Sequence, residues 1–381
     1  MNAPKPVKRS LLSYSREELL EEFRALGLPG YRVGQVWRWI YARKTTLISQ
    51  MTDLSKTTRA LLTDYFGAGA SEPLARIDAV VNDSESDMAQ IEPEDSVLHT
   101  RLVVKSTSND GSEKLLLETT DGARIECVLL RDDRGHRTAC VSTQVGCAMG
   151  CAFCASGLGG FERNLSTAEI LEQLLRLNNL LPTTERLTHI VVMGTGEPTL
   201  NLDALLPALA VATSPDGLDI GNRKATISTV GIPGGIKRLA DLKVPYKLAI
   251  SLHAPNDRIR DQIMPENRIH PISEVVDAAD YFFRATGRRV TFEYVMLQNV
   301  NDQVEHALEL ARLLRNRTAI VNVIPYNPAP ELPFKTPSNQ TVRRFVQTLE
   351  DAGIQVKVRF RKGDKINAAC GQLRWSKRKR C

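Results

Sequence analysis

The stretch 139–154, ACVSTQVGCAMGCAFC, decides the fold. Residues 139–143 form a short apolar run that reads as a strand. Cys147, Cys151 and Cys154 then follow on one short loop with C-x3-C-x2-C spacing. Three thiolates so placed can hold three irons of a [4Fe–4S] cluster and leave the fourth iron without a protein ligand. An open iron can chelate the amino and carboxylate groups of S-adenosylmethionine (SAM) and pass an electron to its sulfonium. That cleavage gives a 5′-deoxyadenosyl radical able to take hydrogen from an unactivated carbon. A structural zinc ion is the alternative. It needs a fourth ligand, and the only close candidates, His136 and Cys140, precede the motif.

Beyond this loop, apolar runs alternate with helix-length segments. Strands are predicted over 139–143, 187–193, 224–229, 246–252, 289–296, 319–324 and 354–360, with helices between them, for example over 167–178, 272–286 and 303–314. Such alternation implies parallel strands joined by right-handed crossovers. Six or seven units predict an α/β fold, a full or partial (β/α) barrel, with functional residues at the carboxyl ends of its strands.

Before the loop the pattern differs. Residues 1–75 read as mostly helical: Ser15 and Glu18 have capping-box spacing, and Val33, Val36, Trp37 and Ile40 recur at helical intervals. Arg32, Arg38, Arg43 and Lys44 give this module a basic face, suited to nucleic acid or simply to solvent. Residues 78–95 hold seven acidic residues and no Lys or Arg, and read as an exposed acidic loop. Strand-like runs at 101–105, 115–118 and 124–130 are separated by Asp110-Gly111 and Asp121-Gly122, which read as hairpin turns. The expected organisation is a helical accessory domain over 1–75, an acidic loop and β-hairpin extension over 76–135, a barrel over 136–362 and a tail over 363–381.

Composition sets outer bounds. The chain has 381 residues, 42% of them hydrophobic, and a formal net charge of +6, which is compatible with a polyanionic partner. There is no apolar run near the ~18 residues of a membrane span, and the basic first residues lack an apolar signal core. A cytoplasmic protein is expected. Seven cysteines, an odd number in a long chain, argue against a disulfide-stapled secreted domain.

Further motifs follow in order: Gly160-Phe161-Glu162-Arg163-Asn164-Leu165, Met193-Gly194-Thr195-Gly196-Glu197-Pro198, Ile227-Ser228-Thr229-Val230-Gly231, Ser251-Leu252-His253-Ala254, Pro325-Tyr326-Asn327-Pro328 and Ala368-Ala369-Cys370-Gly371-Gln372-Leu373. With the cysteine loop, they make the chain resemble the radical SAM superfamily, and within it the RlmN/Cfr family of RNA adenine methyltransferases. The match runs from about Glu126 to Leu373. The N-terminal module resembles that family's RNA-binding domain more loosely.

The resemblance implies a partial (β/α)6-type barrel and a set of roles. Cys147, Cys151 and Cys154 ligate one [4Fe–4S] cluster. Gly196, Glu197, Ser228, Ser251, Leu252, His253 and Asn327 contact SAM, with Glu197 accepting from its amino group. Cys370 takes a methyl group from a first SAM as S-methylcysteine. After a second SAM is cleaved, that carbon adds to the adenine and links protein to RNA. Glu126 removes the ring proton, and Cys140 releases the product by forming a disulfide bond with Cys370. A carrier is needed because the adenine carbon is electron-poor and cannot attack an electrophilic methyl. The implied reaction is C2-methylation of an adenine in 23S rRNA and in tRNA, supplied with electrons by flavodoxin or ferredoxin, in a monomer without membrane contact. The Cfr branch methylates C8 instead. A non-catalytic, zinc-containing RNA-binding protein is the reading from another class. The tail residues Arg374, Lys377, Arg378, Lys379 and Arg380, with Trp375 among them, could bind RNA phosphates and stack on a base, or only solubilise the chain end.

Overall fold

The computed structural model describes residues 9–68, 85–87, 92–359 and 371–373. Its N-terminal helices start where the sequence supplies caps. Ser15 Oγ accepts from the Glu18 amide and Glu18 accepts from the Ser15 amide, so α1 (Arg16–Ala25) opens with the predicted capping box. α2 (Tyr31–Trp37) runs on into a π turn, Arg38–Ala42. α3 (Lys56–Phe66) is capped by Ser55. Phe23, Val33, Val36, Ile40, Leu62 and Phe66 from these segments are all buried. Arg38 and Arg43 stay exposed, whereas Arg32 turns to the Asp53 carbonyl at 3.1 Å.

β1 (Glu85–Asp87), β2 (Arg101–Thr107), β3 (Glu113–Glu118) and β4 (Arg124–Arg131) form an antiparallel ladder. Both predicted turns are made. Asp110 and Asp121 accept from the amides two residues on, and Gly111 and Gly122 take the left-handed φ values of 77° and 81° that such turns need. In the described part of the acidic stretch Glu94 is exposed as expected, whereas Glu92 is not. Glu92 is an ion-pair partner of Arg176 at 2.6 Å, with both side chains about nine-tenths buried. A charge enclosed by the fold needs an opposite charge beside it.

The barrel begins at β5 (Arg137–Cys140), followed by a small hairpin, β6 (Gln144–Gly146) with β7 (Phe161–Asn164). The rest alternates as predicted: α4 (Thr167–Asn179), β8 (His189–Val192), α5 (Leu202–Thr213), β9 (Ala225–Thr229), α6 (Pro233–Asp241), β10 (Lys247–Ser251), α7 (Asp257–Ile263), α8 (Ile272–Thr286), β11 (Val290–Met296), α9 (Val304–Leu314), β12 (Ala319–Pro325), α10 (Asn339–Asp351) and β13 (Gln355–Val358). The main sheet runs β1-β2-β3-β4-β5-β8-β9-β10-β11-β12-β13. Every pairing from β5 onward is parallel, and β4 joins β5 antiparallel. Among the described residues the sheet does not close, so the barrel is partial and the antiparallel ladder extends one edge. Ile190, Ile227, Ile250, Phe292 and Val321 on the strands pack against Leu174, Leu205, Ile236, Phe282 and Phe345 on the helices. Each such side chain contributes roughly 1.5–3 kcal/mol when fully buried.

Lys44 fastens the N-terminal helices to this barrel. Its ammonium donates to the carbonyls of Asn178 in the last turn of α4 and of Leu181, Pro182 and Glu185 just past it, the shortest bond being 2.7 Å. These carbonyls lie at the negative end of that helix. No helix among the described residues is long and apolar enough to cross a membrane.

Candidate active site

A cleft of about 950 Å3, measured to its open mouth, lies at the carboxyl ends of the parallel strands. It collects most of the residues singled out in the sequence: Cys147, Cys151, Cys154, Gly196, Glu197, Ser228, Ser251, His253 and Asn327. The cysteine loop forms one wall. It is pinched at its base by the β6–β7 hairpin, where Cys147 N–H donates to the Gly160 carbonyl at 2.9 Å. Gly146 makes this closure possible: its φ is 72°, and a Cβ there would stand 1.9 Å from Gly160 O. At the far end, Ala152 N–H donates to Ile263 O of α7.

Burial pushes the Cys147 thiol up to about 11, against the lowering effect of bonds from the Met149 and Gly196 amides. Burial likewise raises Cys151, and neighbouring Cys154 and Cys147 add to it by mutual repulsion. Three thiols in one charge neighbourhood, with amide donors aimed at sulfur, fit a cationic iron–sulfur group that would hold them ionised. They do not form a ready-made cage, since no group of three or more His, Cys, Asp or Glu among the described residues stands in metal-ligating geometry.

The opposite wall holds an unmatched buried acceptor and a close-packed glycine. Asn327 Oδ1 is buried and lacks a hydrogen-bond partner, although buried polar atoms are almost always satisfied. Gly196, at φ 110°, packs so closely on Gln144 that a Cβ would approach to 2.6 Å. Glu197 lines the cleft with a carboxylate that already accepts from the protein: its Oε1 from Thr199 N–H and Oγ1–H, and its Oε2 from Val230 N–H at 2.8 Å. Its carboxylate therefore braces the wall. His253 Nδ1 accepts from Val295 N–H at 3.0 Å, and burial, with Arg260 nearby, drops its pKa to about 3. It is a neutral imidazole, packed edge-on against Phe153. Leu252 is fully buried in the core and does not line the cleft.

Two predicted catalytic residues lie one step along the sheet. Cys140 pairs with Val128 across β4–β5 and packs against Val128 and Leu373. Glu126, two residues from Val128 on the same face, is buried and ion-paired with Lys114 at 2.9 Å. Cys370 lies outside the described residues, as do the basic tail residues. The segment after Cys370 is held in place: Ala155 N–H and Ser156 Oγ donate to the carbonyls of Gly371 and Leu373, both at 2.7 Å, and Gln372 Nε2 to Pro328 O at 2.9 Å. Gly371 lines the cleft.

The expected disulfide bond must be corrected. Among the described residues no Sγ–Sγ pairing is present: Cys127, Cys140, Cys147, Cys151 and Cys154 carry no disulfide, and the Cys140 side chain is packed among aliphatic groups.

The cleft also contains residues that sequence motifs did not point to. Glu293 on β11 is buried, receives two bonds from Asn322 Nδ2 and is raised by burial against the opposing influence of Arg359. Its signal was a lone acid inside an otherwise apolar strand, Val290–Met296. Outside the cleft lining, Gln144 Oε1 accepts from the Glu197 amide at 2.8 Å, a role with no signal in the local sequence.

Residues 141–311 match the model of the radical SAM superfamily, and residues 9–66 match the model described as the ribosomal RNA large subunit methyltransferase N-terminal domain. A protein of Rhodopirellula baltica named probable dual-specificity RNA methyltransferase RlmN is 48% identical over 369 residues, spanning 97% of this chain and 91% of that protein. The chain belongs to the RlmN family of radical SAM methyltransferases. A family member of Bacillus licheniformis with the same name is 41% identical, across 97% of this chain and 94% of its own length. The crystal structure of a radical SAM methyltransferase from Sphaerobacter thermophilus superposes with a TM-score of 0.85 at 39% identity, covering 96% of this chain and 99% of that one. An RlmN-family chain is an enzyme, which decides against the non-catalytic zinc reading. Radical SAM membership also implies an iron–sulfur cluster and SAM as its partners in chemistry.

Proposed function

We propose that this enzyme methylates C2 of an adenine in 23S rRNA and in tRNA, using Cys370 as methyl carrier. The observation that carries the reading is the single cleft shared by the three loop thiols, the partnerless Asn327 oxygen and Gly371, the residue following Cys370. Cys147, Cys151 and Cys154 would hold the [4Fe–4S] cluster, which when bound supplies the electron for reductive cleavage of SAM. Ser228, Ser251, Asn327 and the Glu197 carboxylate would contact SAM by their side chains and Gly196 by backbone, with His253 holding the surrounding wall; Leu252, whose amide and carbonyl are bonded to Glu293 and Arg260, would not.

Cys370 attacks the methyl of a first SAM as thiolate, the nucleophilic form of cysteine. Glu126 is the base for the ring proton, its carboxylate oriented by Lys114 at 2.9 Å. The N-terminal helices 16–66 and the basic tail bind RNA by phosphate contacts, and a target adenine in a loop can be unstacked into the cleft. A low-potential flavodoxin or ferredoxin is the electron source, which suits a cytoplasmic monomer. The likeness to proteins named RlmN favours C2 over the C8 outcome. Mass spectrometry of nucleosides from treated RNA tests this. 2-Methyladenosine is the expected product; 8-methyladenosine, or no product from protein loaded with cluster, overturns it.

A further inference from the structure

Among the described residues, Arg260 on α7 is the largest side chain with no solvent exposure. A guanidinium has five N–H donors, and here they reach five acceptors. Nε donates to Leu252 O at 3.2 Å, Nη1 to Asn267 Oδ1 at 2.9 Å and His270 O at 3.3 Å, and Nη2 to Val230 O at 2.6 Å and Ser251 O at 3.3 Å. All five are neutral oxygens. The carboxylates around it are engaged elsewhere: Asp257 with Ile272 N–H, Asp261 with Asn267 Nδ2 and Glu266 with His270. Arg260 thus forms no ion pair among the described residues. A buried charge that is hydrogen-bonded but lacks a counter-charge is costly. The shortest bond of Arg260, to Val230 O, brings it to a residue that packs in the same apolar cluster as Cys151 and Cys154.

The packing is arranged to keep that proximity. Ile259 and Ile263, on either side of Arg260 along α7, share an apolar cluster with Phe153 and Cys151. Ala152 N–H donates to Ile263 O at 2.9 Å. The same guanidinium ties the carboxyl ends of β9 and β10 together, where Ser228 and Ser251 face the cleft.

We propose that Arg260 is a positioning residue with two effects: it fixes the SAM-facing ends of β9 and β10, and it holds a permanent positive charge beside Cys151 that makes the bound cluster easier to reduce. This rests on reading Cys151 as a cluster ligand. Reduction adds one electron, from the external donor, to a group already made anionic by its thiolates. A fixed cation in a poorly screened interior stabilises the more negative state and raises the potential.

The test uses the full chain with its cluster reconstituted anaerobically, comparing R260Q, R260K and D261N with the unaltered protein. Iron content, SAM affinity and the midpoint potential by spectroscopic redox titration are measured for each. R260Q is expected to shift the oxidised-to-reduced ratio about tenfold towards oxidised at a fixed potential, about 59 mV for a one-electron couple. R260K keeps the charge but loses the fork, so its midpoint stays close to the original while SAM binds about fivefold more weakly, the effect of ~1 kcal/mol of lost hydrogen bonding. D261N removes a negative charge beside Arg260 yet keeps an oxygen for Asn267 Nδ2, and its midpoint rises. Should R260Q fail to fold, D261N and R260K decide the question. An unchanged midpoint in cluster-loaded R260Q, or in D261N where R260Q does not fold, overturns the electrostatic effect, and unchanged SAM affinity in R260K overturns the positioning effect. Failure of the unaltered protein to take up about four irons would instead refute the cluster reading itself.

Discussion

Glu197 and Arg260 grip the same residue from opposite sides. Glu197 Oε2 accepts from the Val230 amide at 2.8 Å, and Arg260 Nη2 donates to the Val230 carbonyl at 2.6 Å. Both charged side chains are essentially buried, and Val230 itself lines the cleft. The segment after β9 is therefore set by two groups that could not be enclosed without such bonds. Gly231 follows at φ 107°, with Val275 2.8 Å from where its Cβ would stand.

Glu197→Gln tests the first half of this grip. The carboxylate accepts from donors, among them Thr199 N–H, Thr199 Oγ1–H and Val230 N–H. A glutamine must turn its own N–H groups towards one side, leaving a buried donor unsatisfied at a cost of about 1–3 kcal/mol. The expected outcome is lower stability in urea together with weaker SAM binding by calorimetry. Equal loss of neither would show that the carboxylate is not a brace.

His253 gives a pH signature. Its folded-state pKa, lowered to about 3 by burial and Arg260, lies below the ordinary value of 6.5. The unfolded chain therefore takes up a proton that the folded chain refuses. The resulting stability is present above about pH 6.5 and is lost as pH falls towards 3, by up to several kcal/mol. His253→Asn keeps an oxygen that can accept from the Val295 amide and removes the titration. Urea midpoints measured between pH 7 and pH 4 should fall less steeply in the variant than in the original protein.

Gly146→Ala should disable the cysteine loop. The left-handed φ of 72° costs an L-residue about 1–2 kcal/mol, and the added Cβ would also collide with Gly160 O at 1.9 Å. The collision must open the hairpin that ends in the Cys147–Gly160 bond. Iron per chain after reconstitution is expected to fall well below that of the original protein, while the N-terminal helices melt unchanged.

What could be read in the sequence was whatever local chemistry dictates. The Ser15 capping box, the Asp-Gly turns, the strand–helix alternation and the cysteine loop all depend on neighbours in the chain, and all appear at the expected places. The cleft's membership was legible because strand ends converge in any such barrel. Arg260, Gln144 and Lys44 were not, because their partners are distant in sequence or are backbone carbonyls, which carry no residue-specific mark. Glu197 was placed in the right wall, but its bonds to Thr199 and Val230 become visible only in the fold.

Ser156→Ala addresses the tail. Ser156 Oγ donates to Leu373 O at 2.7 Å in a buried setting, and with the Ala155–Gly371 bond it holds the segment that follows Cys370 against the cysteine loop. Losing one neutral hydrogen bond costs about 1 kcal/mol, a roughly fivefold shift towards the undocked tail. If Cys370 must stand at the cleft for its carbon to reach the adenine, RNA methylation slows by up to that factor. Ser156 lines the cleft but is neither one of the proposed SAM contacts nor a cluster ligand, so SAM affinity and iron content should remain as before. The paired measurement is methyl transfer to RNA against calorimetric SAM binding in the same preparation. A loss of both in equal measure would place Ser156 in the SAM wall, and a loss of neither would mean that docking of 371–373 does not limit the reaction.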